Sequence, residues 1–197
     1  MIIVEGPDNV GKTTLIRQLM ELDSNLKLLK RKRFKPERGE SIGSSYIKIL
    51  IPPDGDFVRH GYSIADRLLA SECIYGDLFR GGCRMTPVEH ETIHVLLDLY
   101  EAIVIHCDIP DDKLIETWGD RKQLYDDPLK IAHAYRERIH QIFRRPVFRY
   151  DWTAPNAHEN LHHLVKVHSY IQDEIRRQRD QFLMKFNDIL STLELVR

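Results

Sequence analysis

The chain has 197 residues, 42% of them hydrophobic and 30% charged, a balance expected of one globular domain with a substantial core. A net charge of −1 and a pI near 6.8 give no global basic field, so a nucleic-acid duplex is not the expected partner. No apolar run approaches the roughly 18 residues of a membrane span. The odd set Cys73, Cys83 and Cys107 lacks C-x-x-C spacing and fits reduced, core-facing thiols in a cytoplasmic protein.

The first strand is expected at 1–5, where Met1-Ile2-Ile3-Val4 leave no room for a signal peptide. It runs into Gly6-Pro7-Asp8-Asn9-Val10-Gly11-Lys12-Thr13, which spells G-x-x-x-x-G-K-S/T, and then into Leu15-Ile16-Arg17-Gln18-Leu19-Met20 at helical spacing. Strand, glycine loop and helix form the context in which a loop cradles phosphate. Gly6 and Gly11 let the backbone wrap into an anion nest, and the helix N-terminus adds partial positive charge. Asn9, Val10, Gly11, Lys12, Thr13 and Thr14 are thus expected around the phosphates of ATP. Lys12 reaches the β- and γ-phosphates and the Thr13 hydroxyl ligates Mg²⁺.

Further strands are expected at 26–33, 57–65, 102–107 and 146–151. Helical patterns between them predict a P-loop three-layer α/β fold, a five-stranded parallel sheet with helices on both faces. Arg38 follows the second strand, and Asp66-Arg67 stand at the carboxyl end of the third, beside the phosphate loop. Two arginines converging near one triphosphate suggest a second phosphorylated substrate, because the guanidinium fork suits phosphate. His90-Glu91-Thr92-Ile93-His94 spells the H-E-x-x-H zinc pattern on a connecting helix. That helix buries Ile93, Leu96, Leu97 and Tyr100, and no third ligand offers itself beyond distant Glu116, so the pattern is read as coincidence.

Pro128 opens a helix to about 144 with Leu129, Ile131, Ala132, Tyr135, Ile139 and Ile142 on its apolar face. Asn156 with Glu159 resembles a helix cap. Beyond it, apolar positions from Leu161 to Leu193 predict one long helix or two stacked ones. The stripe either folds back onto the domain or meets a partner chain, which leaves a homodimer open. Arg176-Arg177-Gln178-Arg179 is read as a solvated helix face, and His162-His163 as surface.

Four ordered blocks over about residues 1 to 170 resemble the thymidylate kinase family of nucleoside monophosphate kinases. Glu5 to Thr14 is similar to E-G-x-D-x-x-G-K-S/T-T. Arg33-Phe34-Lys35-Pro36-Glu37-Arg38 with Ile42-Gly43 is similar to R-F-P-E-R…I-G. Asp66-Arg67, Ser71 and Tyr75 match D-R-Y-x-x-S-x-x-Y/F in register, and Asp120-Arg121 resembles the lid's D/E-R. The resemblance implies transfer of the ATP γ-phosphate to a deoxynucleoside monophosphate, with Mg²⁺. Lys12 and the loop amides would hold the donor phosphates, and Thr13 with Asp66, through water, the metal. Arg38 and Arg67 would hold the acceptor phosphate, Asp8 the sugar 3′-hydroxyl, and Tyr75 would disfavour a 2′-hydroxyl. Arg121 would close from a lid at about 116–128, and about 176–197 would be a helical extension.

Leu68 stands where the family has an aromatic residue, and the span from Gly43 to Asp66 is short. The helix carrying the family's base-reading residues has no counterpart. Tyr46, Phe57 and Tyr62 are candidate replacements, and core residues on the blander reading. Thymidylate itself is thus open, and by analogy such a shortened kinase suits viral nucleotide metabolism in a host cytosol. The rivals are a P-loop kinase of a nucleoside or small metabolite, and a regulatory nucleotide-binding module with its C-terminal helix as interface.

Overall fold

A computed structural model describes residues 1–29, 41–119, 125 and 127–194. Strands β1 (Ile2–Glu5), β2 (Lys27–Leu28), β3 (Ser63–Asp66), β4 (Ile103–Cys107) and β5 (Val147–Tyr150) form one parallel sheet in the order β2-β3-β1-β4-β5. Val4 lies opposite Asp66 on one side and Ile105 on the other, so β1, β3 and β4 end together at one edge. The connections are α1 (Lys12–Leu22), α2 (Ile42–Leu50), α3 (Phe57–Gly61), α4 (Leu69–Phe79), α5 (Pro87–Leu99), α6 (Asp111–Trp118) and α7 (Pro128–Ile142), with α8 (Ala157–Glu194) last.

Alternation along β1 builds a core on each face of the sheet. Ile3 joins Tyr46, Leu68, Ile74, Val104 and Tyr135 on one face. Ile2 and Val4 join Leu15, Leu19, Ile105 and Leu161 on the other. Burial on both sides is why β1 and β4 read as unbroken apolar runs. Local signals start several helices. Pro87 follows Thr86, whose side chain and Glu89 form a capping box on α5. Pro128 follows Asp127, whose carboxylate accepts from the Lys130 N–H.

The expected strand at 57–65 is corrected: 57–61 is the short helix α3 and only Ser63–Asp66 is strand. Asp56 accepts a hydrogen bond from the Arg59 N–H at 3.0 Å and caps the turn, and Phe57 stacks on Tyr100 with centroids 5.8 Å apart. The expected final helix forms as one element. It starts after Asn156, whose carbonyl accepts from Asn160. Leu161, Val165, His168 and Gln172 are buried, so the stripe folds back onto the domain at least that far. Cys73 and Cys107 are buried and Cys83 is half-buried; all three are free, with the Cys73 and Cys83 sulfurs 3.3 Å apart. Among the described residues no helix is long and apolar enough to cross a membrane.

Candidate functional site

The glycine loop turns from β1 into α1 at the carboxyl edge of the sheet. Gly6 adopts φ 141°, and a Cβ there would sit 2.5 Å from the Cys107 carbonyl oxygen, so only glycine fits. Asn9 is also left-handed, at φ 62°, and its Nδ2 donates to the Trp118 carbonyl at 3.4 Å. Lys12 is 8% exposed and its ammonium donates to the Pro7 carbonyl inside the loop. Burial, with Arg67 second, lowers its pKa to about 8. The ammonium is thus held at the loop by one backbone carbonyl.

Arg67 reaches this loop from β3. Its N–H donates to the Val4 carbonyl at 2.9 Å, and its φ of 67° is left-handed. Such a conformation in a non-glycine residue has a cost, and here the surroundings impose it. Glu5 supplies much of that constraint. It is fully buried and accepts from the Leu68 N–H at 2.7 Å, the Ala70 N–H at 3.1 Å and the Ser71 hydroxyl at 2.6 Å. The end of β1 is thereby tied to the start of α4. Burial raises the Glu5 pKa, against which its donors pull.

The Arg67 guanidinium donates to Asp8 Oδ1 and lies 5.4 Å from the centre of the Tyr75 ring. The Tyr75 hydroxyl donates to Asp8 Oδ2 at 3.4 Å, and burial pushes its pKa up to about 12. Burial opposes the Arg67 charge, but Tyr135, Tyr75, Asp8 and Glu5 outweigh it and keep the guanidinium firmly protonated. Asp8, Asn9, Gly11, Lys12, Thr13, Thr14, Asp66 and Arg67 line one cleft of about 490 Å³, with Thr117 of α6 on its wall. Val10 is instead buried in the core beneath the loop, so its side chain packs while its backbone shapes the nest. The side chains of Thr13 and Asp66 are exposed there and make no hydrogen bond with the described residues.

A second cleft of about 450 Å³ adjoins the first, sharing Asn9, Gly11 and Thr14. Leu15, Tyr150, Trp152 and His158 give it a more apolar lining. A Cβ on Gly11 would meet the Trp152 ring at 2.9 Å, so the indole lies directly over the loop. Sequence reasoning missed Trp152, which follows β5 and reaches the loop only through the fold.

The aromatic candidates take the core reading rather than the site one. Tyr46 is 1% exposed in the core, Phe57 packs on Tyr100, and Tyr62 stands at the amino end of β3, away from the loop. Phe79 and Tyr125 stack instead, with centroids 3.9 Å apart and planes 14° from parallel, and both lie near Tyr75. Arg38 and Arg121 lie outside the described residues. At the H-E-x-x-H segment, His94 is buried against His90, and both Glu91 oxygens accept from Arg144 at 2.8 and 2.5 Å. The carboxylate that a hydrolase would use as base is engaged in an ion pair.

The strand order and the glycine loop between β1 and α1 define an α/β P-loop fold. Comparison with protein-family models and with curated proteins gives no match. Among solved structures, YorR from Bacillus subtilis, in complex with phosphorylated GDP, is similar with a TM-score of 0.64 and 18% identity, over 84% of this chain and 93% of that one. Deoxyadenosine kinase from M. mycoides, with dCMP and a flexible dCDP bound, aligns over 92% of this chain and 98% of its own, with 16% identity and a TM-score of 0.45. The first similarity supports the fold; the second is too loose to bear on it.

Proposed function

We propose that this protein is a nucleoside monophosphate kinase that transfers the γ-phosphate of ATP to a deoxynucleoside monophosphate. One observation carries the reading: Arg67, fixed in a left-handed turn and set against Asp8 and Tyr75, shares a cleft with Lys12 and Thr13. A nucleotide-binding loop needs no such second cation, whereas a phosphorylated acceptor does.

Lys12 and the loop amides would hold the β- and γ-phosphates, and the apolar cleft under Trp152 suits the donor's base. The Thr13 hydroxyl and Asp66 carboxylate are hard oxygen donors on the same wall and fit Mg²⁺, which supplies charge neutralisation on the triphosphate. Arg67, with Arg38, would hold the acceptor phosphate in line, exchanging its contact with Asp8 for one with substrate. The freed Asp8 carboxylate would accept the sugar 3′-hydroxyl, and Tyr75 would crowd a 2′-hydroxyl. An acceptor phosphate oxygen then bonds to the γ-phosphorus as the bond to the β–γ bridging oxygen breaks, and ADP leaves. A phosphate monoester, with a second pKa near 6, is already largely dianionic at neutral pH, so no general base is required. Positioning and charge neutralisation suffice, with Arg121 closing from the lid to exclude water. Phe79 and Tyr125, stacked beside Tyr75, would be the rings to meet the acceptor's base.

The test is coupled ADP release with Mg²⁺ and ATP across canonical and modified deoxynucleoside monophosphates and the matching nucleosides. The reading expects monophosphates to accelerate release and nucleosides not to. Acceleration by nucleosides alone would assign a nucleoside kinase, and ATP binding with no accelerating acceptor would assign a regulatory module.

A further inference from the structure

A further concave site lies away from the phosphate loop, beside the edge strand β2. A cleft of about 420 Å³ opens between the α1–β2 turn, α3 and α8, with Lys27, Arg59, Tyr62, Arg176, Arg179 and Asp56 in its lining. The 11-residue α1 runs between the phosphate loop and this turn. At 1.5 Å per residue that sets the two sites roughly 16 Å apart.

Four cations from three separate elements face this space, and the carboxylates of Asp56, Asp173 and Asp180 partner only two of them. Lys27 and Arg59 form no ion pair among the described residues. Arg176 approaches Asp173 only to 3.9 Å, and Asp173 already accepts the Tyr62 hydroxyl at 2.7 Å. Arg176 instead lies over the Tyr62 ring, 5.4 Å from its centre, which fixes the guanidinium at the cleft wall. Arg179 pairs with its neighbour Asp180 at 2.9 Å and approaches Asp56 only to 3.6 Å. Asp56 is in turn committed to capping α3. Read along the chain, Arg176 to Arg179 is a solvated helix face; the fold sets two of its arginines across from Arg59 and Lys27.

A cleft whose lining sets four cations against the single carboxylate of Asp56 draws counter-ions. Guanidinium groups favour phosphate oxygens, which they bind in pairs. A terminal phosphate carries about −1.5 to −2 at neutral pH, which matches the two charges of Lys27 and Arg59 left without an ion pair among the described residues. We propose that this cleft binds a terminal phosphate group, on an inorganic phosphate chain or as the tail of a nucleotide, as an anion site separate from the phosphate loop. The assignment does not depend on the kinase reading.

Calorimetric titration of the full chain with inorganic triphosphate tests it. The wild type should show two sites per chain, Lys12→Ala should retain the second, and Arg59→Gln with Arg176→Gln should weaken that one at least tenfold while keeping the first. Because Arg176 also packs on Tyr62, the pair Lys27→Gln with Arg179→Gln provides an independent variant with the same expected loss. In the Lys12→Ala background, tighter binding of ATP than of inorganic triphosphate would identify a nucleotide tail as the source, and equal binding a free phosphate chain. A single site that Lys12→Ala abolishes would overturn the proposal, as would unchanged binding in both double variants, whereas a single site that survives Lys12→Ala and is lost in the double variants would support it. Adenosine binding as tightly as ATP, or preference for a short single-stranded oligonucleotide over triphosphate, would also overturn it.

Discussion

Arg67 is placed by conformation as much as by charge: its left-handed turn brings the guanidinium to Asp8 of the phosphate loop, and Glu5 holds that turn. Glu5→Gln keeps the shape but leaves one oxygen for three donors. It should cost roughly 2 to 4 kcal/mol of stability, read from denaturant midpoints, because buried donors lose a charged acceptor. Lys12 gives a pH signature. Its pKa of about 8 lies below the ordinary 10.5, so the buried ammonium costs stability below pH 8, and that cost is relieved as pH rises towards 10.5. A bound triphosphate favours the charged form. Affinity for ATP should therefore be flat below pH 8 and fall about tenfold per pH unit above it, whereas Lys12→Arg should stay flat. Trp152→Ala should weaken ATP several-fold and leave acceptor KM unchanged, which separates the two clefts in steady-state kinetics.

The elements differ in how far they could be read ahead. The phosphate loop, β4 and α7 were legible because a motif, an apolar run and a proline start each act locally. The segment 57–61 was not, since a short apolar run fits strand or helix equally and the decision lay with the Asp56 cap and the distant Tyr100. Trp152 and the Phe79–Tyr125 pair were equally hidden, being contacts between segments far apart in the chain. The last helix showed its stripe but not its seat. Gln172 crosses Gly61, where an added Cβ would lie 2.0 Å from its Oε1, and donates to the Tyr100 carbonyl at 3.0 Å. Gly61→Ala should thus loosen α8, lowering stability by about 1 to 3 kcal/mol with an early loss of amide protection along the helix. His168 on the same face is fully buried, which lowers its pKa to about 3. The unfolded chain takes up that proton first, so stability should fall by up to about 1.4 kcal/mol per pH unit between pH 6.5 and 3. His168→Gln should remove this share of the limb in acid denaturation curves and leave that of His106, whose pKa burial lowers to about 4.

Across the whole molecule, the parallel sheet gathers the ends of β1, β3 and β4 at one edge, and the candidate chemistry lies there. Two adjoining clefts meet at Gly11, one polar around Lys12 and Arg67, the other apolar under Trp152. On the proposed reading the donor's base would lie under Trp152, and the donor and acceptor phosphates would meet in the polar cleft. The most direct measurement is acceptor-dependent kcat/KM for the best deoxynucleoside monophosphate, in wild type and in Arg67→Ala, with ATP affinity measured alongside. Loss of one preorganised cation should lower kcat/KM by about 100- to 1,000-fold, some 3 to 4 kcal/mol, while ATP affinity changes little. Unchanged turnover in Arg67→Ala, or an equal loss of ATP affinity, would contradict the assignment of this edge to phosphoryl transfer between two nucleotides.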